Sequence, residues 1–240
     1  MALHTLTALH VYFRLHRKMY KKDTIYGLAT ILGRSGVAVV RISGAQAFNV
    51  FAHLKIDGEI PNRSAFFTKI YDKKHGTQLD ECLLLKFTNP HSFTGEDVVE
   101  LQLHGSMAVI NSVLEYLSTI EDFRIAEPGE FSKRAFYNNK LDLTKAEGLA
   151  MLIDSETERQ REVALAQLSG SLTNIYDSWR DLIITVMAKI EALIDFPEDD
   201  IPADVLDELA SHISDLSSKI REHLNTANSG ISIMEGIKIP

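Results

Sequence analysis

Cysteine is nearly absent from this sequence of 240 residues, which contains only Cys82. A single cysteine cannot form a disulfide within the chain, which is typical of proteins of the reducing cytoplasm. The apolar residues that follow Cys82 predict a small buried side chain rather than a nucleophile.

Long apolar runs are also missing. None approaches the roughly 18 residues of a membrane-spanning helix, so we expect no membrane association.

Positive charge is in deficit, since 25 Lys and Arg residues stand against 33 Asp and Glu residues and give a net charge of −8. A generally basic surface that follows nucleic acid phosphates is therefore excluded. Any contact with a nucleic acid has to be local or shared with a partner. The hydrophobic fraction of 45% is enough to build the core of one large domain or of two ordinary domains.

Several catalytic motifs are missing as well. Neither Gly-x-x-x-x-Gly-Lys-Ser/Thr nor Gly-x-Gly-x-x-Gly occurs, so Gly33 and Gly36 are predicted to shape a turn rather than to hold a phosphate. The nine histidines are scattered, and His104 has no second ligand at a metal-like spacing, so we expect no metal site. No Ser/His/Asp or Cys/His arrangement is recognisable, and we predict no catalytic residue.

Residues 1–22 form a basic N-terminal extension with five Lys or Arg residues and no acid. This composition is similar to that of an organellar transit peptide. The alternative is an unstructured or non-native extension, because Met19 lies only four residues before Asp23 and offers a second start. We favour the alternative, since the segment has little Ser and no clear cleavage signal.

Residues 24–119 have a mixed pattern that predicts strands and helices together. Residues 37–42 are predicted to form a short buried strand, and residues 65–71 and 81–87 an antiparallel pair. Residues 98–104 alternate, so that Glu100, Gln102 and His104 share the face opposite the core. An amphipathic helix is predicted after position 106.

From residue 143 onward the period is helical. Thr144 and Glu147 predict a capping box at the start of this part. An apolar stripe along residues 168–194 predicts one long helix of a bundle, and residues 203–225 a second. Two helices expose more apolar surface than they cover for each other, so we expect further helices from another segment or a partner chain.

Two charged residues are candidates for binding. Arg41 ends a strand just before a predicted helix N-terminus, where a guanidinium can meet an anion or a heterocycle. Glu100 faces away from the core, where its two oxygens can accept from adjacent N–H donors of a ligand. A surface ion pair for Arg41 and a cross-strand salt bridge for Glu100 remain equally open interpretations.

The segment 128–140 has an unusual density of polar residues. Lys140 and Arg134 are candidates for binding ligand carboxylates, with Glu130 orienting one of them. Alternatively, these charges only tie the segment to its domain, with Asn138 and Asn139 supplying a turn.

The ordered motifs of residues 23–240 closely resemble the tRNA-modification GTPases called MnmE or TrmE. The motifs that carry the resemblance are Asp23-Thr24-Ile25, Gly33-Arg34, Val40-Arg41-Ile42-Ser43-Gly44, residues 92–100, His104-Gly105, residues 128–143, Ala146-Glu147, Leu152-Ile153-Asp154 and Ile194-Asp195-Phe196-Pro197.

This resemblance implies an α+β fold in two parts. Residues 23–142 are expected to form a mixed-sheet folate-binding and dimerisation domain, similar to the fold of the glycine-cleavage T-protein. Residues 143–240 are expected to form the first half of an incomplete all-α helical domain that ends before the GTP-binding domain. The family's folate contacts match Arg41, Glu100 and Lys140, which are therefore the predicted cofactor-binding residues.

The implied cofactor is 5-formyltetrahydrofolate, the one-carbon donor for modification of the wobble uridine of tRNA. The implied partners are a second copy in a homodimer, a FAD-dependent MnmG-type protein, and tRNA bound through that complex. GTP, Mg²⁺ and K⁺ would belong to the GTP-binding domain, whose P-loop these residues lack, so we expect no GTP hydrolysis by this chain alone.

The sequence departs from the family pattern at two positions, where Ser35 and Ser106 replace glycines of the resembled motifs. Each adds a Cβ that can crowd a ligand. Two alternative functions stay open: a stand-alone folate-dependent aminomethyltransferase of the T-protein type, and a non-catalytic remnant of a split gene.

Overall fold

The computed structural model describes residues 23–195 and 205–235, and the predicted extension at residues 1–22 lies outside them. The chain divides into two compact units, Met1–Leu141 and Asp142–Pro240. Within the described residues, no helix is both long and apolar enough to cross a membrane.

Between residues 23 and 141, the first unit is built on a mixed sheet of six strands in the order β3-β4-β5-β2-β1-β6. All neighbours are antiparallel except β1 and β6, which run parallel. The strands are β1 (Thr24–Leu28), β2 (Ser35–Ser43), β3 (Phe66–Tyr71), β4 (Gln78–Phe87), β5 (Val98–Gly105) and β6 (Phe123–Ile125).

The core of this unit lies on one face of the sheet because apolar residues alternate along the strands. Val40, Ile42, Leu101 and Leu103 are buried there, together with Cys82. Burial, aided by the charge of nearby Asp80, raises the pKa of the Cys82 thiol to about 12. The predicted strands and the antiparallel pair are confirmed, and the cysteine is a buried apolar residue.

Helices α1 (Val50–His53) and α2 (Met107–Ser118) complete this core, and helix α3 (Glu130–Tyr137) follows β6. The amphipathic pattern after position 106 is confirmed, since α2 buries Ile110, Val113 and Leu117. The other face of the sheet, which we call the second face, carries Arg41 and Ser43 of β2 and Glu100 of β5, in register with Arg41.

The second unit is all-α, which confirms the predicted fold class of an α+β part followed by a helical part. Over the residues that the structure describes, its helices are α4 (Leu143–Ile153), α5 (Glu158–Leu168), α6 (Ser171–Asp195) and α7 (Val205–Glu235). The predicted helices at 168–194 and 203–225 are confirmed over the described residues as α6 and α7, whereas the helical period predicted from residue 143 was not divided into the separate helices α4 and α5. In the second unit α4 packs directly against α5.

The predicted cap of α4 is also wrong. Asp142 is the N-cap, and its carboxylate accepts from the backbone N–H of Lys145 at 2.8 Å. The hydroxyl of Thr144 instead donates to Asp142 and lies 2.7 Å from the hydroxyl of Thr173, so it is engaged between α4 and α6. The capping box of this unit is at Thr157 and Gln160, at the start of α5.

The apolar stripe of α6 is only partly covered among the described residues. Val186 is buried, whereas Ile183, Ile184, Met187 and Ile190 are exposed. The expectation of excess apolar surface therefore holds for the described helices.

Gly148 of α4 generates a test of this packing. A Cβ at Gly148 would lie 2.7 Å from the backbone nitrogen of Leu168. Gly148→Ala is expected to lower the free energy of unfolding of the helical unit by about 1–3 kcal/mol, because overpacking exceeds the gain in helix propensity. Urea unfolding followed by circular dichroism measures it. Gly36→Ala, which meets open space, is the control and should change stability by less than about 0.5 kcal/mol. A Gly148→Ala variant as stable as the control would contradict the packing.

Candidate functional site

Arg41 and Glu100 meet on the second face of the sheet. They are direct partners in the register of β2 and β5, and Arg41 Nε lies 2.7 Å from Glu100 Oε1. Both side chains are about one-fifth exposed. The structure therefore contains the cross-strand salt bridge that the sequence left open, and it brings two of the three predicted binding residues together.

Two phenylalanines form walls around the guanidinium of Arg41. The guanidinium carbon lies 5.0 Å from the ring centroid of Phe93 and 5.5 Å from that of Phe131, within cation–π range. Gly27, the register partner of Arg41 on β1, leaves space that the ring of Phe131 occupies. The guanidinium thus lies within interaction distance of two aromatic rings and of Glu100.

This pair retains unused hydrogen-bonding capacity. Among the described residues, the Nη atoms of Arg41 and the Oε2 atom of Glu100 have no hydrogen-bond partner. A half-buried group that offers donors beside an acceptor suits a planar ligand with complementary edges.

Lys140 reaches the same region through the turn of residues 93–96. Gly95 has a φ of +76°, and a Cβ there would lie 3.2 Å from Lys140 Cε and 2.9 Å from the Cβ of Asn138. The stem of Lys140 therefore passes beside the turn that carries Phe93. No acid pairs with its ammonium in the part of the chain that the structure describes. Lys140 is exposed, so its charge is accessible to a ligand.

Arg134 and Glu130 are buried in an ion network rather than exposed for ligand binding. Arg134 is only 2% exposed, and its guanidinium binds the carboxylates of Asp23, Glu96 and Glu130. Burial opposes the charge of Arg134, but Glu96 and Glu130 outweigh it and raise its pKa. The structure therefore supports the alternative in which these charges tie segment 128–140 to the domain, and excludes Arg134 as a ligand for carboxylates.

Glu130 is the centre of this buried ion network. Arg124 donates to both of its oxygens, and the backbone N–H of Glu127 donates to it at 2.9 Å. Burial alone would raise the pKa of Glu130, but the hydrogen bonds from Arg124, Glu127 and Arg134 lower it to about 2. Arg124 also binds Asp23 at 2.5 Å, which links β6 to the residue before β1.

Ser35 and Ser106, the two positions expected to crowd a ligand, lie away from Arg41. Ser35 pairs with Gly105 at the opposite end of the β2–β5 ladder from the pair of Arg41 and Glu100. Ser35 and Arg41 are six positions apart along β2, which is roughly 20 Å in an extended strand. Ser106 follows Gly105 as the N-cap position of α2. Neither added Cβ lies beside the Arg41 guanidinium.

Phe93, Phe131 and Asn138 also shape this site, although the sequence predicted only a turn at Asn138 and no role for the two phenylalanines. The side-chain amide of Asn138 donates to the carbonyl of Thr94 at 2.7 Å and so holds the turn. Single aromatic residues in polar segments give no periodic signal, and only the proximity of 93–96 to α3 reveals their role.

Two family models match the chain. The model described as "GTP-binding protein TrmE N-terminus" matches residues 24–140, and the one described as "MnmE helical domain" matches residues 143–238. Together they cover both structural units.

Curated relatives agree with these matches. The chain is 44% identical over 221 residues to a tRNA modification GTPase MnmE of Anaplasma marginale (strain St. Maries), covering 92% of this chain and 49% of that protein. It is 47% identical over 219 residues to the protein of the same name from Wolbachia sp. subsp. Drosophila simulans (strain wRi), covering 90% and 49%. The chain spans about half the length of the curated relatives it matches.

The buried network makes stability depend on acid pH. The folded pKa of Glu130 is about 2, below the ordinary 4.5, so its charge stabilises the fold above pH 4.5 and this contribution is lost as pH falls towards 2. Glu130→Gln is expected to be less stable at neutral pH and to depend less on pH in that window. Urea unfolding across a pH series measures both effects. Glu158→Gln, in an exposed pair with Arg161, is the control with a nearly wild-type profile. Identical pH profiles for Glu130→Gln and wild type would refute this role.

Proposed function

The chain belongs to the MnmE (TrmE) family, and from that premise we propose that its first unit binds a reduced folate, 5-formyltetrahydrofolate. The observation that carries the proposal is the pair of Arg41 and Glu100 between Phe93 and Phe131, with donors and an acceptor still unused.

A pterin fits this arrangement by its chemistry. Its amino-pyrimidinone edge presents adjacent N–H donors, which suit the free oxygen of Glu100. Its ring carbonyl is an acceptor for the Nη donors of Arg41. Contacts with both rings and with Glu100 restrain the guanidinium, so less side-chain entropy is lost when the ligand binds.

Lys140 suits the other end of a folate. Its ammonium is exposed, has no acidic partner among the described residues, and passes beside the turn that carries Phe93. A glutamyl carboxylate of the ligand would supply the missing negative charge.

For the whole protein, we infer a role in modifying the wobble uridine of tRNA, with the folate as one-carbon donor. This inference is supported by the names of the relatives, which are tRNA modification GTPases. A FAD-dependent MnmG-type protein is the inferred partner, and tRNA would be bound through that complex. No GTP chemistry is assigned to these residues, whose sequence contains no P-loop.

We also propose that the first unit forms a homodimer through the second face of its sheet. Phe67 and Leu83 are register partners on β3 and β4, and they are 63% and 41% exposed. Val37 of β2 is 54% exposed. Exposed apolar residues on a sheet face are typical of a protein interface.

The folate proposal is tested by calorimetry with 5-formyltetrahydrofolate. Glu100→Ala should weaken binding by at least about tenfold, because it removes a charged acceptor and leaves Arg41 without its Nε partner. The matched control is Glu81→Ala, which breaks the exposed cross-strand pair with Lys69 and should change affinity by less than about twofold.

Absence of binding heat from a folded wild-type chain would disprove the assignment. An affinity of Glu100→Ala equal to that of wild type would do the same.

The dimer proposal is tested by analytical ultracentrifugation at micromolar concentration. Wild type is expected to sediment as a dimer, and Phe67→Glu combined with Leu83→Glu as a monomer, because two charges on each copy would be buried in the interface. Leu172→Glu in α6 tests whether contacts between helices of the two copies also contribute to the dimer. A monomeric wild type would show the proposal to be wrong.

A further inference from the structure

We propose that Asn138 and Arg134 are positioning residues that hold the turn of residues 93–96 against Arg41 and thereby set the geometry of the binding site. The inference rests on the proposed folate function, but it concerns residues that do not face the ligand.

The turn is fixed at three points. Its first residue, Phe93, packs on the guanidinium of Arg41. Thr94 is fully buried, and its hydroxyl lies 2.7 Å from that of Ser43, two residues beyond Arg41 on the same face of β2. Glu96 accepts from the same Ser43 hydroxyl at 2.7 Å and from Arg134 at 3.1 Å. The turn therefore lies directly over the Arg41 end of β2.

Helix α3 supports both of the phenylalanines that contact Arg41, Phe93 and Phe131. Phe131, Arg134 and Asn138 stand at positions i, i+3 and i+7 along α3 and its C-cap, so they share one face of the helix. The first packs on Arg41, the second binds Glu96, and the third binds the Thr94 carbonyl. Phe93 and Phe131 thus have a common support, although they are far apart in the sequence.

The turn and the C-cap of α3 approach each other closely. Gly95 has a left-handed φ of +76°, and any Cβ there would come within 2.9 Å of Asn138. The Asn138 side chain therefore both donates to the turn and abuts it. Loss of its amide donor is expected to release the turn and move Phe93 away from Arg41.

The test uses Asn138 because Arg134 is buried among charges and its variants are expected to unfold. Asn138→Asp keeps the shape but places a carboxylate against the Thr94 carbonyl. We expect its affinity for 5-formyltetrahydrofolate to fall roughly 3- to 10-fold, as for one lost hydrogen bond. Without ligand, the Arg41 Nε–H resonance should shift as the ring current of Phe93 is lost.

The control is Asn49→Asp, which removes an amide donor from an exposed bond to Gln46 in the same unit and should leave both measurements unchanged. Asn138→Ala, which removes the donor without adding a charge, replaces Asn138→Asp if that variant does not fold.

Wild-type affinity in a folded Asn138 variant overturns the inference, whatever the NMR spectrum. If the wild-type chain binds no folate, the functional proposal fails, and the Arg41 resonance alone decides the positioning role. A resonance that does not move then refutes it, and one that shifts supports it.

Discussion

The buried ion network around Glu130 and Arg134 is the constraint on which the first unit depends. Removal of these charges from water is costly, and it is compensated only when each carboxylate and guanidinium meets its partners. Because Asp23 precedes β1, Arg124 lies on β6 and Glu96 on a turn, the network joins four separate segments. Segment 128–140 is thus anchored to the domain at a fixed position.

That anchoring gives the two faces of the sheet different roles. One face is closed by α2 and the apolar core. The end of the second face near Arg41 is covered by α3 and the turn of residues 93–96. The guanidinium of Arg41 and the carboxylate of Glu100 are therefore half-buried. Half-burial strengthens their electrostatic interactions relative to water while keeping them accessible to a ligand.

Local sequence patterns predicted the strands well and the helical part less well. Alternation along residues 98–104 placed Glu100 on the correct face because the side-chain period of a strand is two. The cap of α4 was misplaced because Asp142 and Thr144 are both good capping residues, and only the tertiary contact of Thr144 with Thr173 decides between them. The helical period from residue 143 was recognised, but its division into α4 and α5 was not, because their apolar faces are short.

The residue patterns alone specify the family and the fold class, and they single out Arg41, Glu100 and Lys140 as candidates. The pairing and burial of charged side chains depend on the tertiary structure. Arg41 and Glu100 are 59 positions apart and meet through strand register, which no local pattern specifies. Arg134 resembles a ligand-binding residue in the sequence, yet it lies in the interior, because burial of a charge depends on which distant acids surround it.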